Sequence, residues 1–345
     1  MNRREFLRRS AAGCAGALGT RLAFAQTPAA VGRVMTVLGP IAPGQLGSTL
    51  PHEHVLVDFV GADTIAPGRY DANEAFEVAL PHLRAARSLG CRALVECTPA
   101  YLGRDPLLLA RLAKAAGLHI LTNTGYYGAA KDRYVPRHAY DETADQLAGR
   151  WIREWAGGIE GTGIRPGFVK TGVDAGPLSA IDRKLVQAAA RTHRGTGLTI
   201  ASHTGDTRAA LDQLAVLAQE GVSPDAFVWV HAQSDWDAES RVEAARKGAW
   251  IEIDNIADAT LSVCVERVTL LKVRGCLNRL LASHDAGWYR PGEPRGGSFR
   301  GFDTLYTAFV PALRQAGWTG DEVRRLLVAN PAAAFSVAVR GQSGA

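Results

Sequence analysis

Short apolar runs alternate with helical patterns along the chain from about residue 45 onward. Each run is four to five residues long and is bounded by glycine, proline or polar residues, as expected of strands buried on both faces. A first strand is predicted near Leu46–Leu50. The later predicted strands are Ala93–Cys97, His119–Asn123, Pro166–Lys170, Leu198–Ser202, Phe227–His231, Trp250–Asp254 and Arg279–Ser283.

A 3.6-residue periodicity predicts helices between most of these strands. The clearest are Asp105–Ala116, Asp141–Ala156, Ile181–His193, Arg208–Glu220 and Ala238–Lys247. Thr319-Gly-Asp-Glu322 is typical of a capping box and predicts a final helix through Val328. Repeated strand–helix units imply parallel strands, and eight of them favour an α/β fold of the closed (β/α)8 type, the TIM barrel. A doubly wound open sheet is the alternative, but no Gly-x-Gly-x-x-Gly follows the first strand.

Composition and charge limit the class of protein. The chain has 345 residues, 47% of them hydrophobic and 21% charged, which is an ordinary globular composition. The formal net charge of +5 suggests a nucleic-acid or membrane partner at first sight. However, residues 1–25 contain five arginines and one glutamate, and the remaining 320 residues carry 34 basic and 33 acidic side chains. We therefore expect no nucleic-acid partner and no stable membrane anchor.

The amino terminus is typical of an export signal. Arg3-Arg4 followed by Glu5-Phe-Leu7 resembles a twin-arginine motif, and an apolar run and Ala23-Phe-Ala25 come after it. We expect residues 1–25 to be cleaved and residues 26–345 to form one barrel domain. The twin-arginine export machinery would then deliver a folded, metal-loaded protein to the periplasm or beyond. A basic amphipathic helix that stays on the protein is the alternative.

Polar residues stand where the predicted strands end. The first strand leads into His52-Glu-His54, whose alternation points both imidazoles the same way. The other candidates, each at or just after the end of a later strand, are Lys170, His203, His231 and Asp285. Their separations of 33, 28 and 54 residues correspond to one, one and two strand–helix units. Because the chemistry of such barrels lies at the carboxyl ends of the strands, the six residues are predicted to meet at one mouth.

Four imidazoles and one carboxylate are good ligands for zinc or a neighbouring first-row metal. Lys170 is the exception, because an ammonium group beside two dications is unfavourable. It fits such a site if its ε-nitrogen is carboxylated and forms a bridging anion. A single His-x-His or a lone lysine would often have a structural role only, whereas the six residues together favour a metal centre. The four cysteines after residue 25, Cys91, Cys97, Cys264 and Cys276, form no Cys-x-x-Cys pair and are expected to be buried free thiols, with a disulfide as the alternative.

These motifs resemble the phosphotriesterase family of the amidohydrolase superfamily, including the phosphotriesterase-like lactonases, over about residues 33–336. Besides His52-Glu-His54, the shared motifs are Gly103-Arg-Asp105, Thr124-Gly-Tyr-Tyr127, Gly167-Phe-Val-Lys170, Ser202-His-Thr204, Ser283-His-Asp285 and Asn330-Pro-Ala-Ala-Ala-Phe335. The resemblance implies two divalent metal ions, with zinc expected and iron, cobalt or manganese as alternatives. The implied ligands are His52, His54 and Asp285 for one ion and His203 and His231 for the other, with an N6-carboxylated Lys170 and a hydroxide bridging both.

A mechanism follows from this ligand set. Two dications lower the pKa of a bridging water, so that hydroxide exists at neutral pH and can attack a carbonyl or phosphoryl centre. Asp285 would accept the hydroxide proton as a general base. By the resemblance, Tyr127 corresponds to a tyrosine that lactonase members place near the bridging hydroxide and the leaving oxygen. The metal centre has a formal charge of about +1 with these anions, which suits a small neutral ester, lactone or organophosphate.

We therefore expect a metal-dependent hydrolase of carboxylic esters or lactones with promiscuous phosphotriester cleavage. The alternatives are a dedicated phosphotriesterase and, from another class, a non-catalytic metal-binding protein. Amide hydrolysis or deamination is disfavoured because the motifs follow the phosphotriesterase pattern. A homodimer is expected by family analogy. Asn255 stands where many members carry arginine or histidine, and Asp58 and Asp254 are candidates for orienting the histidines, with packing roles as the alternative. Glu53 and His284 should point away from the mouth.

Overall fold

A computed structural model of the protein describes residues 30–234 and 237–341. An antiparallel hairpin of β1 (Val34–Thr36) and β2 (Gly39–Ile41) precedes the main sheet. The following strands are β3 (Thr49–Leu56), β4 (Ala93–Glu96), β5 (His119–Leu121), β6 (Asn123–Thr124), β7 (Phe168–Val173), β8 (Ile200–Thr204), β9 (Phe227–Val230), β10 (Trp250–Ile253), β11 (Leu280–Ala282) and β12 (Gly287–Tyr289).

The strands from β3 to β11 form a parallel ring. Each pairs with the next, except that the third barrel strand is interrupted at Thr122, so that β5 pairs with β4 and β6 pairs with β7. The ring closes where β12 pairs with β3 and the backbone N–H of Asp285 donates to the carbonyl of His52 at 3.1 Å. A closed parallel ring confirms the (β/α)8 barrel and excludes the doubly wound sheet.

Helices surround the ring and connect its strands. They are α1 (Ala72–Ser88), α2 (Pro106–Ala116), α3 (His138–Asp141), α4 (Ala144–Gly157), α5 (Ala180–Thr196), α6 (Thr207–Gln219), α7 (Ala238–Arg246), α8 (Leu261–Val273), α9 (Val310–Gln315), α10 (Gly320–Arg324) and α11 (Asn330–Ala334). Leu305–Phe309 and Arg325–Ala329 are π-helical turns. Shorter 3₁₀ turns are Pro43–Gln45, Ile159–Gly161, Pro224–Ala226, Asp258–Thr260, Leu277–Arg279 and Pro294–Gly296.

Local sequence explains where these helices begin and which side they bury. Thr143 and Ser179 form capping boxes at the starts of α4 and α5, and the predicted box at Thr319 is present at the start of α10. In α4, Leu147, Trp151 and Trp155 are buried at a spacing of four residues, which places them on one side of the helix. The amphipathic pattern thus packs the helices onto the outside of the ring.

The interior of the barrel is packed with apolar side chains at its amino end. Residues from most strands and from the carboxyl-terminal helix contribute to this cluster: Val34, Leu46, Ala93, Val95, Cys97, Leu121, Phe168, Ala201, Val228, Val230, Trp250, Leu281, Ala334 and Phe335. Phe168 and Phe335 contact each other edge to face, with ring centroids 5.5 Å apart. The barrel is therefore a filled core, and its polar interior positions lie toward the carboxyl end of the strands.

The predicted position of the first strand is wrong. Leu46 follows the turn Pro43–Gln45 and packs in the apolar cluster at the amino end of the barrel, whereas the strand runs from Thr49 to Leu56. The error arises because the strand continues through Pro51 and the polar His52-Glu-His54 segment. All eight of its residues are buried, so its polar side chains are enclosed by neighbouring strands and the hydrophobic pattern does not reveal them.

Some expectations concern other parts of the chain. The predicted export signal, residues 1–25, lies outside the described residues. No helix of the described part is long and apolar enough to cross a membrane. Cys91, Cys97, Cys264 and Cys276 are free and buried, as predicted.

Candidate metal centre

The His52-Glu53-His54 segment brings two imidazoles to the mouth of the barrel. His52 and His54 point the same way from β3, are both buried, and have ring centroids 5.3 Å apart. Oδ1 of Asp285, which follows β11, lies 3.1 Å from Nε2 of His54 and 3.8 Å from Nε2 of His52. The ligand atoms of these three side chains all lie within 4.8 Å of one another, so they form a group that could hold one metal ion.

Two more imidazoles continue this group on neighbouring strands. His203 lies on β8 and His231 directly follows β9. Their ring centroids are 4.5 Å apart, and the His231 ring is 5.0 Å from that of His52. The structure thus brings all four predicted histidines into one continuous row at the carboxyl ends of the strands.

Lys170 lies on β7 and is 1% exposed. Among the described residues, its Nζ has no hydrogen-bond partner, and the carboxylate of Asp285 lies at the same mouth, with Oδ1 3.1 Å from Nε2 of His54. A buried ammonium group without a partner is strongly unfavourable. Carboxylation would turn Lys170 into an anion, and two anionic oxygen donors beside a row of imidazoles match the ligand preferences of zinc and its neighbours. The residues present therefore fit a metal centre.

Buried carboxylates orient two of the imidazoles. Oδ1 of Asp254 accepts from Nδ1 of His231 at 2.7 Å, and Oδ2 lies 3.1 Å from Nδ1 of His52. Oε2 of Glu252 also lies 3.1 Å from Nδ1 of His52. Because an Nδ1–H group meets a carboxylate in each case, Nε2 keeps its lone pair for a metal. Asp254 contacts one histidine of each predicted metal pair, so it couples the two halves of the centre.

His54 is oriented by a different chain of contacts. Its Nδ1 lies 2.8 Å from Oγ1 of Thr98, and that hydroxyl donates to Oε1 of Glu96 at 2.6 Å. Since the threonine proton is used on Glu96, the hydroxyl oxygen accepts from Nδ1 of His54. Nε2 of His54 is thereby left as the metal-binding nitrogen, on the side of Asp285.

The charges of the centre are strongly coupled. Burial and Lys170 lower the pKa of His52, but hydrogen bonds to Asp254 and Glu252 outweigh them and raise it to about 10. Burial raises the pKa of Asp285, but the neighbouring imidazoles of His54 and His52 reverse this and hold it below the usual range. The buried carboxylates around His52 thus favour a positive charge at this position, which a bound metal ion would supply.

An apolar wall flanks the row of histidines on one side. It consists of Val57, Leu102, Tyr127, Tyr134 and Trp288. The Tyr127 ring lies 5.1 Å from that of His203, and the Trp288 ring lies edge-on to His54 at 5.9 Å. Burial, then Asp285, raises the pKa of the Tyr127 hydroxyl, so this group stays protonated and can donate a hydrogen bond. The wall gives the mouth an apolar surface beside the candidate ligands.

The backbone is constrained where the ligands are presented. His231 and Asp285 have left-handed φ angles of 58° and 54°, which residues other than glycine rarely adopt. Each such residue costs on the order of 1–3 kcal/mol and persists only where its surroundings enforce it. Strained backbone at two candidate ligands indicates that the surrounding contacts hold them in place.

The two aspartates considered as orienting residues differ in role. Asp254 contacts His52 and His231, whereas Asp58 accepts from Nε of Arg69 at 2.6 Å and reaches no candidate ligand. Asn255 is exposed beyond the end of β10, and its carbonyl accepts from Thr260 and Cys264. Of the two aspartates, only Asp254 belongs to the candidate metal centre.

Sequence patterns did not reveal several polar residues around the ligands. These are Glu96, Thr98, Gln233, whose Nε2 donates to Asp254 at 2.6 Å, and Glu252. Glu252 could have been found, because it shares the inward parity of Trp250 and Asp254 within an otherwise apolar strand. The others depend on which neighbouring loops meet, and a local pattern does not contain that information.

A closed barrel with candidate histidine and acid ligands at its mouth is typical of the metal-dependent hydrolases of the (β/α)8 class. A model of the Phosphotriesterase family matches residues 32–335, and the chain belongs to that family. A phosphotriesterase homology protein of Escherichia coli (strain K12) is 28% identical over 293 residues, covering 84% of this chain and 98% of the relative. N-acetyltaurine hydrolase of Homo sapiens is 27% identical over 342 residues, covering 87% and 97%.

Solved structures agree with this assignment. One of them comes from the molecular engineering of organophosphate hydrolysis activity from a weak promiscuous lactonase template. It aligns with a TM-score of 0.78 and 30% sequence identity, and the alignment covers 88% of this chain and 99% of the other chain. The resemblance inferred from the motifs is thus confirmed at the level of family and fold.

Proposed function

We propose that the protein hydrolyses carboxylic esters or lactones at a centre of two divalent metal ions, with phosphotriester cleavage as a side activity. The observation that carries this proposal is Lys170, whose buried Nζ lacks a partner among the described residues at the same mouth as the histidines and Asp285. An unpaired ammonium there would destabilise the fold by on the order of several kcal/mol. Carboxylation and metal binding remove that cost, because they replace an isolated charge with balanced ones.

The residues at the mouth would have distinct roles in this reaction. The ligands of the first ion would be His52, His54 and Asp285, those of the second His203 and His231, and a carboxylated Lys170 would be shared. Zinc is the expected metal. The ions would supply an activated water and polarise the substrate oxygen. Asp285 would accept the proton of that water, since its carboxylate lies at the mouth beside the nitrogens of His52 and His54. The Tyr127 hydroxyl would donate to the leaving oxygen.

The apolar wall supports a substrate with an apolar group next to the scissile bond. Its aromatic members, Tyr127 and Trp288, flank His203 and His54, so a substrate bound at the ligands would also contact them. A small neutral ester or lactone has both the polar oxygen and the apolar surface that such a site binds. An acyl amide is the second candidate because of the relation to N-acetyltaurine hydrolase, and a dedicated phosphotriesterase is the third.

Metal analysis combined with a substrate panel tests this proposal. The purified protein should contain about two metal ions per chain and should prefer a lactone or aryl ester to an acyl amide and a paraoxon-like triester in kcat/KM. A triester or amide preference of several orders of magnitude would refute the ester assignment. Removal of metal that leaves all hydrolysis unchanged would instead favour a non-catalytic metal-binding protein.

The variant Lys170→Ala tests the shared ligand. It should lose bound metal and activity, and short carboxylic acids should partly restore both by replacing the carbamate. Lys114→Ala, which changes an exposed lysine on α2, is the matched control and should keep both properties. Full metal content in Lys170→Ala would contradict the role of Lys170.

We also propose export through the twin-arginine machinery and a homodimeric assembly. Replacing Arg3 and Arg4 by lysine should retain the protein in the cytoplasm of a bacterial host, as measured by fractionation. Unchanged export would refute the signal. Light scattering of the mature protein should give twice the chain mass, and the mass of one chain would refute the dimer.

A further inference from the structure

Glu53 is a buried carboxylate placed between two candidate metal ligands. It is 0% exposed, and alternation along β3 points its side chain to the side opposite His52 and His54. It therefore cannot bind the same metal ion as its neighbours. A charged group enclosed in this way needs a full set of partners to be tolerated.

Within the described part of the chain, the hydrogen-bond partners of the Glu53 carboxylate all lie in one turn, the Ser283–Ala286 turn. Oε1 accepts from Oγ of Ser283 at 2.7 Å, from the backbone N–H of His284 at 3.0 Å and from Nδ1 of His284 at 2.6 Å. Oε2 accepts from the backbone N–H of Ala286 at 2.8 Å. These contacts bracket Asp285 on both sides along the chain.

The rest of the Ser283–Ala286 turn is held by the residues around Glu53. The N–H of Asp285 donates to the carbonyl of His52 at 3.1 Å, and the carbonyl of Ala286 accepts from the N–H of His54 at 2.9 Å. Nη2 of Arg300 donates to the carbonyls of His284 and Asp285 from the other side. The backbone N–H groups of residues 284, 285 and 286 are thus all satisfied by the segment that carries the first two histidines.

We propose that Glu53 is a positioning residue that holds Asp285 in its left-handed conformation and so directs its carboxylate to the nitrogens of His52 and His54. This inference rests on the proposed function, because it assigns Asp285 to a metal ion. The acid ligand and both histidines are then parts of one hydrogen-bonded unit that joins the first and last strands of the barrel.

The chemistry of Glu53 suits this role specifically. A carboxylate is an acceptor at both oxygens, and it meets donors at both. A glutamine of the same shape would place an N–H₂ group against one of two backbone N–H groups, so one end of the turn would be released. Removing a partner of this kind next to a metal ligand typically lowers metal affinity 10- to 100-fold.

A double-mutant cycle on zinc affinity tests the inference without relying on activity. Zinc would be titrated against a chromophoric chelator for the wild type, Glu53→Gln, Asp285→Asn and the double variant. Glu53→Gln should weaken zinc binding by roughly 10- to 100-fold. In the Asp285→Asn background the same change should alter affinity by less than about twofold, because its effect passes through Asp285. Equal, additive losses in both backgrounds would overturn the proposal.

Kinetics provide a second measurement. In the zinc-saturated enzyme, Glu53→Gln should lower kcat for the best substrate of the panel and leave KM within about twofold, since the turn touches the acid and leaves the apolar wall intact. A rise in KM with unchanged kcat would count against a positioning role.

Arg300→Gln keeps the inference testable if Glu53→Gln does not fold. Arg300 is an exposed residue that donates to the carbonyls of His284 and Asp285 in the Ser283–Ala286 turn. Its loss should weaken zinc binding, as Glu53→Gln does, and only when Asp285 is present. Arg324→Gln on α10 is the matched control for an exposed arginine. An Arg300→Gln variant with wild-type zinc affinity would overturn the role of the turn. A wild type that binds no zinc would refute the proposed function itself.

Discussion

Asp254 offers the sharpest test of how the metal centre is organised. It is completely buried and joins Nδ1 of His231, at 2.7 Å, to Nδ1 of His52, at 3.1 Å. It also accepts from Nε2 of Gln233 at 2.6 Å. Asp254→Asn keeps the volume but removes the charge and turns one oxygen into a donor. At least one of the two histidines then loses its acceptor.

The expected size of the effect follows from these contacts. A hydrogen bond to a charged group contributes about 1.5–3 kcal/mol, and changes to such partners of metal ligands lower affinity roughly 10- to 100-fold. Because Asp254 contacts one histidine of each predicted pair, both metal ions should bind more weakly in Asp254→Asn. If Asp254→Asn lost one ion and bound the other with normal affinity, Asp254 would itself be a metal ligand. The structure permits this, because His52, His231 and Asp254 form a group that could hold a metal ion.

The assay is a zinc titration against a chelator, read together with kcat/KM on the preferred ester. Asp58→Asn is the control, since Asp58 is also a buried aspartate with a basic partner, Arg69, but contacts no candidate ligand. Its zinc affinity should stay within about twofold of the wild type. Equal losses in the two variants, or no loss in Asp254→Asn, would refute the assigned coupling.

Three further predictions follow from the fold and the mouth. Tyr127→Phe should reduce lactone turnover more than triester turnover, and equal effects would remove its role at the leaving oxygen. Gly125→Ala should disrupt the centre, because a Cβ there would lie 2.1 Å from the carbonyl oxygen of Lys170 at a φ of 120°. Gly39→Ala, at a φ of 112° where no atom of the described residues lies within 4 Å of the added Cβ, should keep its metal content, and equal metal loss would contradict the steric explanation. Leu83→Ala, at a fully buried position of α1, should lower the free energy of unfolding by about 2–5 kcal/mol in urea denaturation without changing metal content. Volume-conserving substitutions in a core usually change the free energy of unfolding by less than about 1.5 kcal/mol. A loss below about 1 kcal/mol in Leu83→Ala would therefore mean that the side chain is not tightly packed.

Much of the architecture was predictable because barrel strands are short and apolar on both faces. The strand–helix repeat indicated the class, and the polar residues at the strand ends indicated which side carries chemistry. The histidines and Asp285, which the structure brings together, were found in this way. The first strand was misplaced because its carboxyl half is polar and still buried.

The supporting contacts were less predictable for a physical reason. Thr98 and Glu96 orient His54 from a neighbouring strand and loop, and Glu53 reaches residues about 230 positions away. Such contacts depend on the register between strands, which periodicity within one strand does not encode. In the sequence alone, the residues that make these contacts are indistinguishable from ordinary polar residues, because their partners are adjacent only in the closed barrel.

Closure of the ring has a consequence for how metal and folding influence each other. The proposed ligands of one ion, His52 and His54 on one side and Asp285 on the other, come from the two edges that meet when the barrel closes. An ion bound there binds only the closed form, so by mass action it would stabilise the seam between the two ends of the chain. The metal would thus stabilise the closed barrel in addition to its role in catalysis, and the melting temperature of the protein would rise with the free zinc concentration.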